Sequence, residues 1–291
     1  MFRNYNIPMK IGISAESTID LPKELLDKFG ISIIPFTVLL GEKEGKDGVI
    51  TPAEIFDYVD HTGVLPRTSA INEFQYEEYF KELLEKYDAV IHVCLSSGIS
   101  SACLNAINAA KKIKNVYIVD SKSLSTGIAL LCVYARELVD AGLDVKEVYQ
   151  KVLDRVPHLQ VSFVVNTLEY LHKGGRCSSV ALFGANLLRI KPQILVTPEG
   201  KMVSGTKFRG KNREVVEDYC KDTLAKFNNP DKSIIFITHS TASTDMVEAA
   251  RRIVERHGFT NIYETVAGAT ITSHCGPKTL GILYFNDGDK R

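Results

Sequence analysis

The stretch AVIHVCLSSGISSACLNAINAAKK, residues 89–112, decides the fold class of this chain. Its first part, Ala89–Leu95, is a short run of apolar and β-branched residues, which predicts a buried strand. A loop rich in serine follows, and the chain then continues as a predicted helix through Lys112. Units of a strand followed by a helix recur along most of the sequence. Their alternation indicates an α/β fold with largely parallel strands.

The predicted units form two series, which Pro157 separates. Strands of the first series are predicted at Lys10–Ser14, Ile31–Leu39, Ala89–Leu95 and Val116–Val119. Those of the second are predicted at Val161–Val165, Ile194–Thr197, Met202–Phe208, Ser233–Thr238, Ile262–Val266 and Gly281–Phe285, with a helix at Ser179–Leu188 among them. Because 291 residues are enough for two cores, we predict two α/β domains, residues 9–157 and 158–287.

The bulk composition is that of a globular protein, with 45% hydrophobic and 24% charged residues. No apolar run approaches the ~18–20 residues that a membrane span needs, so we expect no stable membrane insertion. The first residues contain no apolar signal core, which favours a cytoplasmic protein. The six cysteines form no CxxC pair and no zinc-like spacing with histidine, so we expect buried thiols and no metal site.

The charges balance overall but are unevenly distributed. Lys+Arg and Asp+Glu both number 35, which argues against a general nucleic-acid binder. The segment from Lys173 to Arg213 nevertheless holds nine cations and only one acid, Glu199. Such a segment indicates an acidic partner or a phosphate at one face of the molecule, and the alternative is a solvated basic surface.

Several hydroxyl-rich loops follow predicted strands or precede predicted helices. They are Ser96–Ser101, Pro66–Ser69 and the segment that begins at Asp120-Ser121. In open α/β sheets, ligands bind at the carboxyl ends of the strands and near helix N-termini, so these loops suit an anion. The alternative is that their serines only cap helices. No GxxxxGK[ST] and no GxGxxG after the first strand are present, which disfavours the usual nucleotide-binding enzymes.

One histidine stands out by its surroundings. His274 lies between Ser273 and a Cys275-Gly276-Pro277 turn, which we interpret as a loop. A histidine there is poorly placed for core packing, and both a functional and a structural role remain open.

In this order and spacing, the loops resemble the DegV family over almost the whole chain, from about Lys10 to Phe285. The matching stretches are STIDLP (17–22), PRTS (66–69), SSGIS (96–100), VDS (119–121), LEYLHKGGR (168–176), IKPQIL (190–195) and HCGPKTLG (274–281). The glycine-glycine-arginine stretch and the histidine-x-glycine-proline stretch are the most specific of these.

The resemblance implies a long-chain fatty acid bound in a cleft between the two domains. Its carboxylate is expected at Thr68, Ser97 and His274, with Ser69 and Ser96 beside them. Some members of the family are the binding subunits of bacterial fatty acid kinase. A separate catalytic subunit of that kinase turns the bound acid into an acyl phosphate for phospholipid synthesis. Arg176 and Arg209 are expected to face this kinase, and the chain itself is expected to need no cofactor and to catalyse nothing.

The sequence departs from the family pattern at three places. Glu16 replaces an aspartate, Ala70-Ile71-Asn72 follows Ser69, and Ser101-Ala102-Cys103 follows Ser100. The last two departures border the expected carboxylate site and leave chain-length preference open. For the apolar wall we expect Phe163, Phe183, Leu187 and Ile194.

Two other functions remain possible from the sequence. One is a hydrolase with Ser97 as nucleophile and His274 as base, although the chain has no GxSxG elbow. The other is a binder of a different small apolar acid.

Overall fold

A computed structural model describes residues 9–177 and 190–288 of the chain. Its helices are α1 Lys23–Phe29, α2 Pro52–Thr62, α3 Glu73–Leu84, α4 Ala102–Ala110, α5 Thr126–Asp140, α6 Val145–Arg155, α7 Glu169–Gly174, α8 Asn212–Lys226, α9 Thr244–Arg256 and α10 Ala269–Cys275. Its strands are β1 Ile11–Glu16, β2 Ile31–Ile34, β3 Thr37–Leu40, β4 Lys43–Lys46, β5 Arg67–Ser69, β6 Ala89–Cys94, β7 Val116–Asp120, β8 Leu159–Val164, β9 Lys191–Val196, β10 Met202–Phe208, β11 Ile234–Ser240, β12 Asn261–Val266 and β13 Thr279–Phe285. The α/β class is therefore confirmed.

The first sheet has four strands in the order β2-β1-β6-β7, and all of its neighbouring strands are parallel. β1 and β6 are buried along their whole length. Fully buried strands are typical of a parallel sheet that helices cover on both faces. The parallel arrangement predicted from the sequence is thus confirmed for this half of the chain.

The second sheet differs from that expectation. Its six strands have the order β10-β9-β8-β13-β11-β12, and only β11 and β12 are parallel neighbours. The other four pairs are antiparallel. A tight turn at Thr197–Lys201 joins β9 to β10, and a connection this short allows only an antiparallel pair. The second sheet is therefore mixed rather than largely parallel.

The two halves share a core. Helix α5 has nine buried residues and contacts strands of both large sheets. One continuous apolar cluster contains Ile13 of β1, Ile128 of α5 and Val161 of β8. All strands of the four-stranded sheet precede Pro157, and all strands of the six-stranded sheet follow it. The division into residues 9–157 and 158–287 stays a proposal. It separates the two large sheets, but one apolar core joins them.

Smaller elements differ from the sequence prediction. The strand predicted at Ile31–Leu39 is two strands, β2 and β3, because Pro35 interrupts it. β3 belongs to a third, antiparallel sheet with the order β4-β3-β5. β4 and β5 had not been predicted, and β5 lies in the segment interpreted as a loop. The helix predicted at Ser179–Leu188, with Phe183 and Leu187, lies outside the described residues.

None of the helices in the described parts of the chain is long and apolar enough to cross a membrane. All six cysteines are buried, as the sequence predicted.

Candidate functional site

A cavity of about 870 Å³ lies where the two large sheets meet the small one. Residues from both sides of Pro157 line it. They include Phe36, Thr68, Ser69, Leu95, Ser97–Ser101, Leu124, Arg176, Met202, Thr270, Ile271 and His274. The volume falls within the range of roughly 300–1,000 Å³ that small-molecule sites occupy. Four of the five predicted ligand residues, Thr68, Ser69, Ser97 and His274, therefore line one cavity.

The polar end of the cavity is built around Thr68 and His274. The Oγ1 of Thr68 and the Nε2 of His274 lie 2.8 Å apart and form a hydrogen bond. Burial, together with the nearby positive charge of Arg176, lowers the pKa of His274 from its ordinary value of 6.5 to about 4. The imidazole is therefore neutral near pH 7. One ring nitrogen then carries the proton and the other accepts.

This lowered pKa predicts a pH dependence of stability. The unfolded histidine binds a proton below about pH 6.5, whereas the folded one does so only near pH 4. Unfolding in this window takes up a proton, so stability is full above pH 6.5 and falls as the pH drops toward 4. The loss is at most about 1.4 kcal/mol per pH unit. Urea unfolding at about pH 7 and about pH 5 measures it.

The variant His274→Gln removes the titrating group and should flatten this part of the pH profile. His172→Gln, exposed on α7, is the matched control. Equal losses of stability in the wild type and in His274→Gln would contradict the account.

His274 lies in the last turn of α10, not in a loop as predicted. Two aspartates from the other half of the chain cap the N-terminus of this helix. Asp20 Oδ1 accepts from the Gly268 amide at 2.8 Å, and Asp47 accepts from the amides of Ala269 at 2.7 Å and Thr270 at 3.2 Å. Carboxylates at a helix N-terminus satisfy its unpaired N–H groups and match its dipole. They fix the helix that carries His274.

Asp20 is itself deeply buried. Burial raises its pKa well above the ordinary value, against the effect of hydrogen bonds from the Ser125 hydroxyl and the Gly268 amide. The Ser125 Oγ lies 2.5 Å from Asp20 Oδ2. Ser125 belongs to the segment that begins at Asp120-Ser121, which the sequence singled out, and its φ of 54° is unusual for a residue with a side chain. The role of this loop at α10 was not predicted.

Ser97 stands at the other side of the polar end. Its Oγ accepts a hydrogen bond from Lys122 Nζ at 2.8 Å, and its amide donates to Asp120 Oδ1 at 3.2 Å. His274 Nε2 bonds to Thr68 rather than to Ser97. The nucleophile–base contact that the hydrolase hypothesis requires is therefore not made in this structure.

Ser96, also predicted as a ligand residue, does not line the cavity. It is buried, and its hydroxyl donates to the Gly200 carbonyl at 2.8 Å. The backbones approach so closely here that a β-carbon at Gly98 would lie 2.6 Å from the Gly200 oxygen. Gly200 has a φ of +78°, which favours glycine. Ser96 therefore joins the turn between β9 and β10 to the Ser97 loop.

The two predicted partner residues occupy different positions. Arg176 is exposed and lines the mouth of the cavity, where its Nη1 donates to the Gly174 carbonyl at 2.6 Å. Arg209 is exposed just beyond β10 and does not line this cavity. The sequence did not predict that Arg176 would lie beside the ligand residues.

An almost wholly apolar pocket of about 30 Å³ adjoins the large cavity. The two share Leu124, Ile271 and Cys275 as walls. Phe163, predicted for the apolar wall, lines the smaller pocket together with Leu283. Ile194 is fully buried but does not line either pocket.

Glu16, His92 and Cys94 form a group of buried potential metal ligands on β1 and β6. Both Glu16 oxygens already accept hydrogen bonds, from the Tyr76 hydroxyl at 2.7 Å and from the Leu95 amide at 2.8 Å. His92 Nδ1 bonds to Ser14 Oγ at 2.7 Å. These bonds indicate a structural role for the group, because the Glu16 carboxylate holds the backbone of Leu95, which lines the cavity.

The chain is similar to proteins of one family over nearly its whole length. The family model described as "Uncharacterised protein, DegV family" matches residues 10–287. A fatty acid-binding protein of Thermotoga maritima is 29% identical over 281 residues, which are 94% of this chain and 96% of that protein.

Solved structures agree with this match. A DegV family protein from Thermus thermophilus, described by its fatty acid binding, has a TM-score of 0.87 and 29% identity, covering 96% of this chain and all of its own. A stearic acid-binding protein from Eubacterium ventriosum has a TM-score of 0.83 and 25% identity, covering 95% of this chain and 98% of its own. The resemblance inferred from the motifs is confirmed, and the chain belongs to the DegV family.

Proposed function

We propose that this chain binds one long-chain fatty acid in the 870 Å³ cavity, with the carboxylate at its polar end. The observation that carries the proposal is the hydrogen-bonded pair Thr68 and His274 in the wall of a cavity that is otherwise mainly apolar. The fatty acid binding of the relatives from Thermotoga maritima and Thermus thermophilus supports it.

The preference for a carboxylate head group depends on the hydrogen bond between His274 and Thr68. We assign the proton of the neutral imidazole to Nε2; the ring then donates to Thr68 Oγ1, and the Thr68 hydroxyl is left to donate to a carboxylate. Ser97 presents a second hydroxyl on the facing loop, and Ser69 a third beside Thr68. Hydrogen bonds from such groups to an ionised acceptor are about twice as strong as neutral ones. This polar end selects an acid over an ester or an alcohol.

The apolar walls hold the acyl chain. Leu95, Leu124, Met202 and Ile271 continue from the polar end, and the small pocket at Phe163 lies beyond them. Burying about 15 methylenes at roughly 0.8 kcal/mol each gives a gross gain of about 12 kcal/mol. Loss of ligand freedom reduces this gain, but slow release is still expected.

The proposal includes a partner and a location. A fatty acid kinase catalytic subunit in the cytoplasm would phosphorylate the bound carboxylate, and the acyl phosphate would enter phospholipid synthesis. The exposed Arg176 at the cavity mouth and the exposed Arg209 offer positive charge to that subunit or to its ATP. The chain itself would hold the acid and catalyse nothing.

Arg176→Ala should leave fatty-acid binding intact and slow the formation of acyl phosphate when the kinase subunit and ATP are added. The reason is that the guanidinium bonds to a backbone carbonyl and is exposed, whereas the hydroxyls hold the ligand. A binding titration and a coupled kinase assay measure the two effects. A variant that loses the ligand would show that Arg176 belongs to the binding site.

A titration with three ligands tests the proposed function. Stearic acid should bind tightly, octanoic acid weakly because it buries fewer methylenes, and stearyl alcohol weakly because it lacks the carboxylate. Equal affinity for the acid and the alcohol would remove the role of the polar end. Preference for a short or aromatic acid would favour a binder of another small apolar acid.

A further inference from the structure

We propose that Lys122 is a positioning residue for the ligand carboxylate, acting through Ser97. This inference rests on the proposed function and deepens it, because it concerns the second hydroxyl of the same polar end. Lys122 does not line the cavity, but its ammonium group contacts the hydroxyl of Ser97, which does.

Hydrogen bonds and an ion pair join Lys122, Ser97 and Asp120. Lys122 Nζ donates to Ser97 Oγ at 2.8 Å and lies 2.7 Å from Asp120 Oδ2. The other oxygen, Asp120 Oδ1, accepts from the amides of Ser97 at 3.2 Å and of Lys122 at 3.1 Å. Asp120 thus orients both the ammonium group and the loop that carries the hydroxyl.

The carboxylate in this set is ionised at neutral pH. Burial acts to raise the pKa of Asp120, but the Lys122 ammonium, the Ser97 hydroxyl and both their amides lower it below its ordinary value. A charged partner therefore holds the ammonium group at Ser97.

The backbone of Lys122 is fixed as well. Its φ of 48° lies in the left-handed region, and a β-carbon on Gly200 would lie 3.0 Å from the Lys122 Cα. The turn between β9 and β10 is therefore packed against the start of this side chain. Close packing and hydrogen bonds around the backbone of Lys122 restrict its conformational freedom, and this suits a residue that positions another side chain.

The chemistry follows from the single proton of a hydroxyl group. When Lys122 donates to the Ser97 oxygen, that oxygen acts as acceptor, and its own O–H, which contacts Asp120 in this structure, can donate instead to a carboxylate that enters the cavity. Lys122 also occupies Asp120 Oδ2, which lies close enough to compete for the Ser97 proton. With its proton on Nε2, as assigned above, His274 donates to Thr68 in the same way, so each of the two hydroxyls accepts from a nitrogen donor.

The test compares stearic acid with stearyl alcohol in Lys122→Met. Methionine keeps the length of the side chain and removes its donors and charge. We expect the affinity for the acid to fall by about 10-fold or more and the affinity for the alcohol to stay nearly unchanged. Lys122→Arg, which keeps charge and donors, should recover most of the loss. Lys111→Met, exposed at the end of α4, is the matched control.

The possible outcomes separate the two claims. Equal losses for acid and alcohol, or no loss, would overturn the role of Lys122 while wild-type binding of the acid still supports the proposed function. A wild-type protein that binds neither ligand would overturn the proposed function itself. If Lys122→Met does not fold, Asp120→Asn serves instead, and it should show a smaller loss that is again confined to the acid.

Discussion

Thr68→Val is expected to lower the affinity for stearic acid by about 10- to 100-fold. Valine has nearly the shape of threonine and suits the strand β5, but it has no hydroxyl. The carboxylate loses a charge-assisted hydrogen bond worth about 1.5–3 kcal/mol, and each 1.4 kcal/mol is about tenfold in affinity. His274 Nε2 also loses its 2.8 Å partner. Titration calorimetry measures the change.

The matched control is Thr68→Ser, which keeps the hydroxyl and removes only a methyl group. We expect its affinity to stay close to that of the wild type. Thermal unfolding of both variants shows whether the fold is intact. If the valine and serine variants bind stearic acid equally well, Thr68 does not hold the carboxylate.

Asp47→Ala is expected to destabilise the protein by about 3 kcal/mol and to abolish ligand binding. Asp47 is buried and accepts from the amides of Ala269 and Thr270 and from the hydroxyl of Ser17. Alanine would leave these donors unsatisfied in a buried place, at about 1–3 kcal/mol each before relaxation. Helix α10 would then lose its cap, and His274 its position. Urea unfolding and a stearic acid titration measure the two effects.

Asp60→Ala, which removes an exposed acid on α2, is the control and should leave both stability and binding unchanged. The stability and the ligand affinity of Asp47→Asn should lie between those of Asp47→Ala and Asp60→Ala, since asparagine keeps one oxygen acceptor and loses the charge. Binding that survives in Asp47→Ala would mean that the cap does not position His274.

The sequence was sufficient for the class of fold because local patterns determine it. The buried strands β1 and β6 are continuous apolar runs, and the loop after β6 carries its serines at the carboxyl end of the strand. These features depend on residues close together in the chain. The resemblance to the DegV family implied Thr68, Ser69, Ser97 and His274 as ligand residues, and these four residues line one cavity.

Features that depend on distant residues were missed. Helix α10 has the sequence ATITSHC, in which β-branched residues disfavour a helix, and its caps come from Asp20 and Asp47 more than 200 residues earlier. No local pattern could show that support. The mixed second sheet depends on β13 inserting between β8 and β11, which is again a long-range pairing.

Ser96 and Ser97 show that a sequence motif alone does not determine which of its side chains line the cavity. They are adjacent and identical, yet the hydroxyl of Ser96 bonds to Gly200 and Ser97 lines the cavity. Successive side chains point in different directions, and the position of the turn between β9 and β10 decides which hydroxyl faces the cavity. A possible signal in the sequence was Pro198-Glu199-Gly200, a turn between two predicted strands.

Native mass spectrometry of the purified chain, followed by identification of the released ligand, tests whether the cavity binds a fatty acid. We expect one long-chain fatty acid per chain in the wild type and a clearly reduced occupancy in Thr68→Val. A chain that is empty and still takes up no added stearic acid, or that carries a ligand without a carboxylate, would contradict this expectation.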